Sequence, residues 1–457
     1  MKAFFAFALG FFALLLVLQQ TQFPKDPCDP QQIHIALSDA FTSTPLTPST
    51  MKIIFHTKEE CNSAHIALRT PQGDVRKITA TAVNFFTENN DGLYTTFVHT
   101  FDLNSLEFSQ TYQYICYGSD DFFTKSQGPF KFYVPSPKFE EGGKETQVVI
   151  FGDMDHRSQG LNTINALTKI AQENFTEVSA FIHNGDMGYN LSSEAGTTGD
   201  DFMNAIQKFT KSVPYMVTAG NHEDFNNFSN FNARYKMPNF EQSQNHYYSF
   251  NIGNMHFVSF NLELILHEPQ LGKYMLDWLE KDLTEAVLNR DKQPWIIAYT
   301  HRPFYCSHPN EDCDTNAGRF KEFEDVLNKY SIDLVVVSHV HFYERMLPIK
   351  KGQVAKFQQF QEDKKFINIV NPQAPVHVLQ GMAGHRADMA DPKDICPGKA
   401  FTVKVDKAYS YLSVKSSNNT HLLVENFKSV DGAVNDFFYI IKSNESKFIN
   451  LPFYKGK

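Results

Sequence analysis

Five short apolar runs in this chain stop at residues able to hold a metal ion, and this coincidence constrains the fold more than any other feature. Gln147 to Phe151 leads into Gly152-Asp153-Met154-Asp155, and Val178 to Ile182 is followed by Gly185-Asp186-Met187-Gly188-Tyr189. Tyr215-Met216-Val217 leads to Gly220-Asn221-His222-Glu223, Trp295 to Tyr299 into Thr300-His301-Arg302-Pro303, and Leu334 to Val337 into Ser338-His339-Val340-His341. With His256 to Phe260, these runs read as buried strands. Leu161, Ile164, Leu167 and Ala171, and later Met275, Leu276, Leu279, Leu283 and Val287, fall at helical spacing between them. Strands alternating with helices predict an α/β (or α+β) domain with helices on its sheet faces. Sites in such folds lie beyond the carboxyl ends of strands, so the five endings are expected to converge. A single Gly-Asp or Asn-His pair is weak evidence, being an ordinary turn or cap; the ordered set is specific.

Ahead of this region, residues 28–135 read as all-β. Gln32 to Leu37 and Met51 to Phe55 alternate apolar and polar, Asn90-Asp91-Gly92 marks a hairpin before Leu93 to Phe101, and Tyr112 to Gly118 is another strand. Short strands with turns and no helical period predict a β-sandwich. A linker at 136–146, entered through Val134-Pro135-Ser136-Pro137 and carrying the acidic, Gly-rich Glu140-Glu141-Gly142-Gly143, separates this module from a second domain at 147–445. No internal repeat is visible.

The chain of 457 residues carries 42 Lys+Arg against 51 Asp+Glu, a formal charge of −9. No global basic field exists to displace counterions from phosphates, so a nucleic-acid-binding surface is not expected. The 43 Phe read as core and strand fillers. Met1-Lys2 followed by the apolar run Ala3 to Leu18 fits a signal peptide over 1–20. The absence of a small-x-small cleavage site leaves an uncleaved anchor as the alternative. No later segment is long and apolar enough to span a bilayer.

Six cysteines (Cys28, Cys61, Cys116, Cys306, Cys313 and Cys396) suit an oxidising compartment. Cys306–Cys313 would close a short loop, and Cys61–Cys116 is read as a pair within the first domain. Asn174, Asn190, Asn227, Asn418 and Asn444 each begin an Asn-x-Ser/Thr sequon. Together these features predict a glycosylated protein that is secreted or lies in a lysosomal or endomembrane lumen.

The ordered motifs closely resemble those of the purple acid phosphatases, dinuclear metallophosphoesterases, in their longer form with an N-terminal fibronectin-III-like domain. Val213-Pro214-Tyr215-Met216 before Gly-Asn-His-Glu, Val340-His341-Phe342-Tyr343-Glu344-Arg345, and Ala374-Pro375-Val376-His377 with Gly381 to Gly384 extend the resemblance over nearly everything after the leader. The resemblance implies an N-terminal all-β sandwich plus a metallophosphoesterase domain of two sheets flanked by helices. It further implies that Asp153, Tyr189 and His341 bind a first metal, that Asp186 bridges, and that Asn221, His301 and His339 complete a second site. Tyrosine phenolate is a hard anionic donor favouring Fe(III) at the first site, while two imidazoles and an amide suit Zn, Mn or Fe(II) at the second. The resemblance also implies that His222 is the catalytic residue, outside the ligand set and bonding the phosphoryl group or protonating the leaving alkoxide. The implied activity is acid hydrolysis of phosphate monoesters by attack of a metal-held hydroxide.

Arg302 and His308 are candidate substrate contacts, with Arg302 equally read as a structural ion-pair partner and His308 as an exposed residue of a Cys-bounded loop. Two residues depart from the family pattern: Ser338 and Asp155 stand where glycine is usual. Asp155 is read either as a metal ligand or hydrogen-bond acceptor beside the first metal, or as a residue that tolerates left-handed backbone and points away. The competing functions are a phosphodiesterase or nucleotide hydrolase of the same superfamily, against which Tyr189 argues, and a secreted binding protein with a vestigial site.

Overall fold

Alternating apolar positions in the first part of the chain build two antiparallel four-stranded sheets. Strands β1 (Gln31–Leu37), β2 (Ser49–Thr57), β3 (His65–Arg69), β4 (Val75–Thr79), β5 (Ala82–Asn89), β6 (Leu93–Asn104), β7 (Thr111–Tyr117) and β8 (Gln127–Tyr133) pair in the orders β1-β2-β6-β5 and β4-β3-β7-β8. The computed structural model describes residues 26–42, 49–89, 92–120, 126–138, 145–308, 313, 318–360, 368–385, 399–416 and 418–443. The leader, Asn90 and Asp91 of the hairpin signal, most of the linker, Cys396 and Asn444 lie outside these residues. Ile53, Phe55, Phe101, Tyr112, Tyr114 and Phe132 fill the space between the two sheets, with Phe55 stacked on Phe101 at 5.1 Å.

Among the described residues the disulfides are Cys28–Cys61 and Cys306–Cys313. The expected Cys61–Cys116 pair is therefore corrected. Lys58 N bonds to Pro27 O at 2.8 Å, which lays the segment before β1 along the end of β2 and brings Cys28 within 5.9 Å of Cys61, Cα to Cα. Cys116 instead turns its thiol into the sandwich core, where it is free and fully buried.

The larger domain contains β9 (Thr146–Phe151), β10 (Val178–Asn184), β11 (Tyr215–Thr218), β12 (Tyr247–Ile252), β13 (Met255–Phe260), β14 (Trp295–Tyr299), β15 (Leu334–Val337) and β16 (Tyr343–Lys350). It continues with β17 (Gln353–Val354), β18 (Gln358–Phe360), β19 (Asn368–Val370), β20 (Val376–Gln380), β21 (Thr402–Asp406), β22 (Ser410–Ser416), β23 (His421–Lys428) and β24 (Val434–Ile441). One sheet runs β11-β10-β9-β22-β23-β24-β19-β18; the other runs β12-β13-β14-β15-β20-β16-β17, with β21 pairing to β16.

Alternation along β14 and β15 divides their side chains between two layers. Ile297, Tyr299, Leu334 and Val336 join the core shared with the first sheet. Ile296, Ala298, Val335 and Val337 pack outward with Met275, Leu279 and Leu283 of the helix Pro269–Leu288. On the far face of the first sheet, the helix Gly160–Glu173 buries Ile164, Leu167 and Ala171, whereas Leu161 is exposed. The helix Thr197–Thr210 beside it buries Phe202, Ile206 and Phe209. The result is two facing sheets flanked by helices.

That second helix also closes the open edge of the sandwich. Asn204 Oδ1 accepts from Gln32 N (3.1 Å), Gln207 Oε1 accepts from Ile33 N (2.8 Å), and Thr210 Oγ1 donates to Ile33 O (3.0 Å). Side chains thus satisfy backbone groups that a lone edge strand would leave open. Nearby, fully buried Arg234 donates to Asp200 at 3.2 Å, and Asp200 also accepts from Tyr94 (2.5 Å), Gln32 (2.7 Å) and Lys58. A buried guanidinium is tolerated here because its polar shell is filled, with Gln32 and Tyr94 of the sandwich joining Asn230, Gly196 and Asp200 of its own domain.

Candidate metal centre

Backbone pairing between β9 and β10 continues past the ends of both strands. Asp153 N bonds to Gly185 O and Met154 N to Asp186 O, each at 3.1 Å, placing the two aspartates side by side. From the other sheet, Ser338 N bonds to His301 O at 2.8 Å, and His339 N donates to Asp153 Oδ2 at 3.0 Å. Asp153, Asp186, Tyr189 and His339 all have positive φ (61°, 55°, 48° and 73°). Such backbone is costly for residues with a Cβ and persists where surrounding structure imposes it, as it does at functional sites.

Ser338 is accommodated through its neighbour. Its hydroxyl donates to Gln380 O at 3.1 Å, and a Cβ built on Gly152 would lie 2.2 Å from that oxygen. The missing Cβ at 152 thus makes room for the serine at 338, and a Cβ there would also lie 3.0 Å from Asn184 O.

The side chains meet as two overlapping groups. Asp186, His301 and His339 form one and Asp153, Asp186 and His341 the other, with potential ligand atoms within 4.8 Å of one another in each. Tyr189 Oη lies 3.3 Å from Asp153 Oδ1 and 3.0 Å from His341 Nε2. Asn221 Oδ1 lies 3.2 Å from His301 Nε2, which is itself 3.3 Å from Asp186 Oδ1. His301 Nδ1 donates to Asn184 O at 2.9 Å, so the other ring nitrogen faces the centre, the arrangement that orients a metal-binding imidazole.

The field of this cluster favours positive charge. Burial alone would push His301 down, but the Asp186 carboxylate raises it to about 10. Burial would push Asp186 up, but His301, with His222 and His339, holds it far below the carboxylate range. Carboxylates, imidazoles, an amide and a phenol crowded with little solvent are the donor set of a two-cation site, and the residues fit that group.

His222 lies beside the cluster. Its backbone N donates to Asp186 Oδ1 (3.1 Å), its Nε2 is 3.9 Å from Asp186 Oδ2, and its Nδ1 is 2.5 Å from Asn190 Oδ1. Arg302 is gripped by buried Glu263, Nε to Oε1 at 2.8 Å, and turns Nη1 to within 3.1 Å of His339 Nε2. His308 packs against Phe342 with ring centroids 5.9 Å apart; burial and then Lys407 lower its pKa.

Asp155 is folded onto its own loop. Oδ1 accepts from His156 N (2.6 Å), Arg157 N (3.3 Å) and Arg157 Nε (3.3 Å), and His156 Nδ1 is 3.2 Å away. Burial pushes this carboxyl up, but His156 and Arg157 outweigh it and hold it below the usual range. Asp153 and Ser158 are the left-handed residues of this loop, and Asp155 is not among them.

Three residues that the sequence did not place in the site also belong here. Glu223 Oε2 accepts from Asp186 N (2.9 Å) and Gly220 N (2.8 Å), and its Oε1 accepts from Met187 N (2.8 Å), so one buried carboxyl pins two ligand loops together. Burial and the Asp186 charge push it up to about 8 against the pull of those N–H groups. Its only sequence signal was its place in Gly-Asn-His-Glu. Asn190 stood out as a sequon, which hid its contact with His222. His385 follows Gly381 to Gly384 directly and stacks on Tyr189 with centroids 3.2 Å apart.

Comparison with known proteins agrees with this geometry. Residues 146–343 match the calcineurin-like phosphoesterase family model, and residues 374–437 match the iron/zinc purple acid phosphatase-like protein C model. Human acid phosphatase type 7 is 33% identical over 309 residues, covering 65% of this chain and 67% of the relative. The zebrafish (Danio rerio) protein of that name is 32% identical over 356 residues, covering 72% and 74%. A purple acid phosphatase structure from yellow lupin seeds superposes with a TM-score of 0.72 at 21% identity, covering 91% of this chain and 75% of that one, and so shares the fold. By its two family models and its relatives, the chain belongs to the purple acid phosphatase family of calcineurin-like phosphoesterases.

Proposed function

We propose that this protein is a secreted or lumenal acid phosphatase that hydrolyses phosphate monoesters at a dinuclear centre. The observation that carries the reading is the pair of donor groups sharing Asp186, with His222 beside them but in neither. Asp153, Tyr189 and His341 would hold Fe(III), Asn221, His301 and His339 would hold Zn, Mn or Fe(II), and Asp186 would serve both. When bound, two such ions polarise phosphoryl oxygens and make water acidic enough to supply a nucleophile at low pH.

The chain's own residues supply the remainder. Asn190 accepts the Nδ1 proton of His222, leaving Nε2 turned towards Asp186 and the space where a phosphoryl group would sit. As general acid, His222 gives the proton on Nε2 to the departing alkoxide oxygen, so the alcohol leaves neutral; such transfers are worth ~10²–10⁴-fold. Arg302, tied to Glu263, sets the position of His339 rather than reaching for substrate. His308, beside Phe342, belongs to the wall of the disulfide loop rather than to the anion site. Two disulfides support an oxidising compartment, and no helix among the described residues is long and apolar enough to cross a membrane.

The test is metal analysis and a visible spectrum of the purified protein, followed by monoester and diester assays at acidic pH. The expected outcome is two metal ions per chain, one of them iron, a visible charge-transfer band and preference for monoesters. Tyr189→Phe should abolish the band. His222→Ala should cut turnover with metal content unchanged. A colourless, metal-free, inactive preparation would overturn the proposal, and faster diester turnover would replace the substrate class.

A further inference from the structure

Tyr189 is an aromatic residue on left-handed backbone, φ 48°, a conformation that a bulky side chain does not adopt unaided. Something must hold its ring so that Oη stays between Asp153 and His341. The neighbouring contacts show what does. His385 lies face to face with the phenol ring, centroids 3.2 Å apart and planes 15° apart, while His222 approaches at 4.6 Å with its plane tilted by 56°. The edge of His341 meets His385 at 5.3 Å and 77°, so the histidine bridges two candidate ligands of one cation.

His385 is itself fixed by main chain rather than by its side chain. Its N donates to Asp153 O at 2.9 Å, and Ala383 N donates to Gly152 O at 3.0 Å, so the segment after β20 is laced to the loop carrying the first aspartate. The preceding Gly384 has φ +121° and packs on the first residue of the helix Gly160–Glu173. A Cβ at 384 would fall 2.4 Å from Gly160 Cα. The close approach allowed by glycine thus seats the imidazole over Tyr189. No hydrogen bond ties the imidazole Nδ1, which is buried without a partner, so ring-face contact is its dominant interaction.

We infer that His385 is a positioning residue that clamps the Tyr189 phenol by stacking, holding its oxygen at the metal centre and closing one ring face to solvent. The inference rests on the reading of Tyr189 as a ligand for its consequence in the metal-loaded enzyme, but the clamp itself is a property of the chain. A stacked aromatic pair shifts a conformational equilibrium by roughly 2- to 10-fold, enough to decide how often the oxygen is in place.

The experiment uses the full chain after metal removal, treated with tetranitromethane, with nitration of Tyr189 followed by peptide mass spectrometry in wild type, His385→Ala and His385→Phe. Removing the ring should speed nitration of Tyr189 by about 2- to 10-fold relative to the other tyrosines, and phenylalanine should restore protection because it also stacks. In the metal-loaded proteins, His385→Ala should shift and weaken the visible band while His385→Phe largely preserves it. An unchanged Tyr189 nitration rate in a folded His385→Ala protein overturns the clamp. So does His385→Phe if it leaves Tyr189 fully reactive, an arm that stands even should the alanine variant fail to fold. Wild type lacking any visible band would instead remove Tyr189 from the metal site, leaving the clamp to be judged on nitration alone.

Discussion

The side-chain oxygen of Asn190 lies 2.5 Å from Nδ1 of His222, one residue beyond Tyr189 in the chain and within the site. The contact fixes which imidazole nitrogen faces the centre, because an amide oxygen accepts only. Asn190→Ala should therefore lower kcat about 10-fold or more for esters with basic leaving groups, which need proton donation, and much less for nitrophenyl esters, which do not. Equal losses on both kinds of ester would show that the asparagine acts through the fold alone. Since a glycan on Nδ2 of this amide would crowd the site that its Oδ1 faces, peptide mapping is expected to find Asn190 unmodified in active protein.

Glu223 holds three backbone N–H groups from two loops with one carboxyl. Glu223→Gln replaces an acceptor oxygen by an NH2 group and leaves at least one buried donor facing another donor, at a cost of roughly 1–3 kcal/mol for each orphan. The expected result is a lower Tm together with weaker retention of metal, because Asp186 and Asn221 lose their common anchor. Unchanged metal content on dialysis against a chelator would contradict this.

Asp155 makes its hydrogen bonds within its own loop, and Arg157 and His156 offset its charge. Asp155→Gly should accordingly cost about 1 kcal/mol of stability from lost turn bonds. Inhibition by inorganic phosphate should move by less than threefold and the visible band should stay in place. A large tightening of phosphate binding would return the carboxylate to the metal site.

Buried histidines of the sandwich should contribute to acid sensitivity, alongside His183, His246 and His377 of the larger domain, which burial lowers to about 3, 4 and 3. Burial lowers His34 and His99 to about 4 and takes His56 well below its ordinary value. Their folded pKa values lie under the unfolded value of 6.5, so between about pH 6.5 and 4 the unfolded chain binds more protons and stability falls as pH is lowered. For His34 the difference amounts to about 3 kcal/mol at the acid end. Calorimetry from pH 7 to 4 should show Tm dropping through that window. In His99→Phe, which keeps a ring against Phe55, the drop should be shallower. A slope identical to wild type would assign the acid sensitivity elsewhere.

Much of the architecture was legible in the chain because burial leaves a periodic trace. β14 and β15 fall on the very runs that the apolar pattern marked, Trp295 to Tyr299 and Leu334 to Val337, and a strand buried on both faces has no other way to be written. The metal-capable residues were legible for a related reason: each must follow a strand end directly, so sequence adjacency reports spatial placement. The contacts made across the fold left no such trace. The chain alone pointed to Cys116 as the partner of Cys61, but the pairing of Lys58 with Pro27 brought Cys28 near instead and strand alternation turned Cys116 inward. His385 lies nearly 200 positions from the tyrosine it covers, and Asn190 reads as a sequon whether or not it touches His222. One-dimensional pattern records which way a side chain must face; which partner it meets there is set by how the two sheets and the sandwich close on one another.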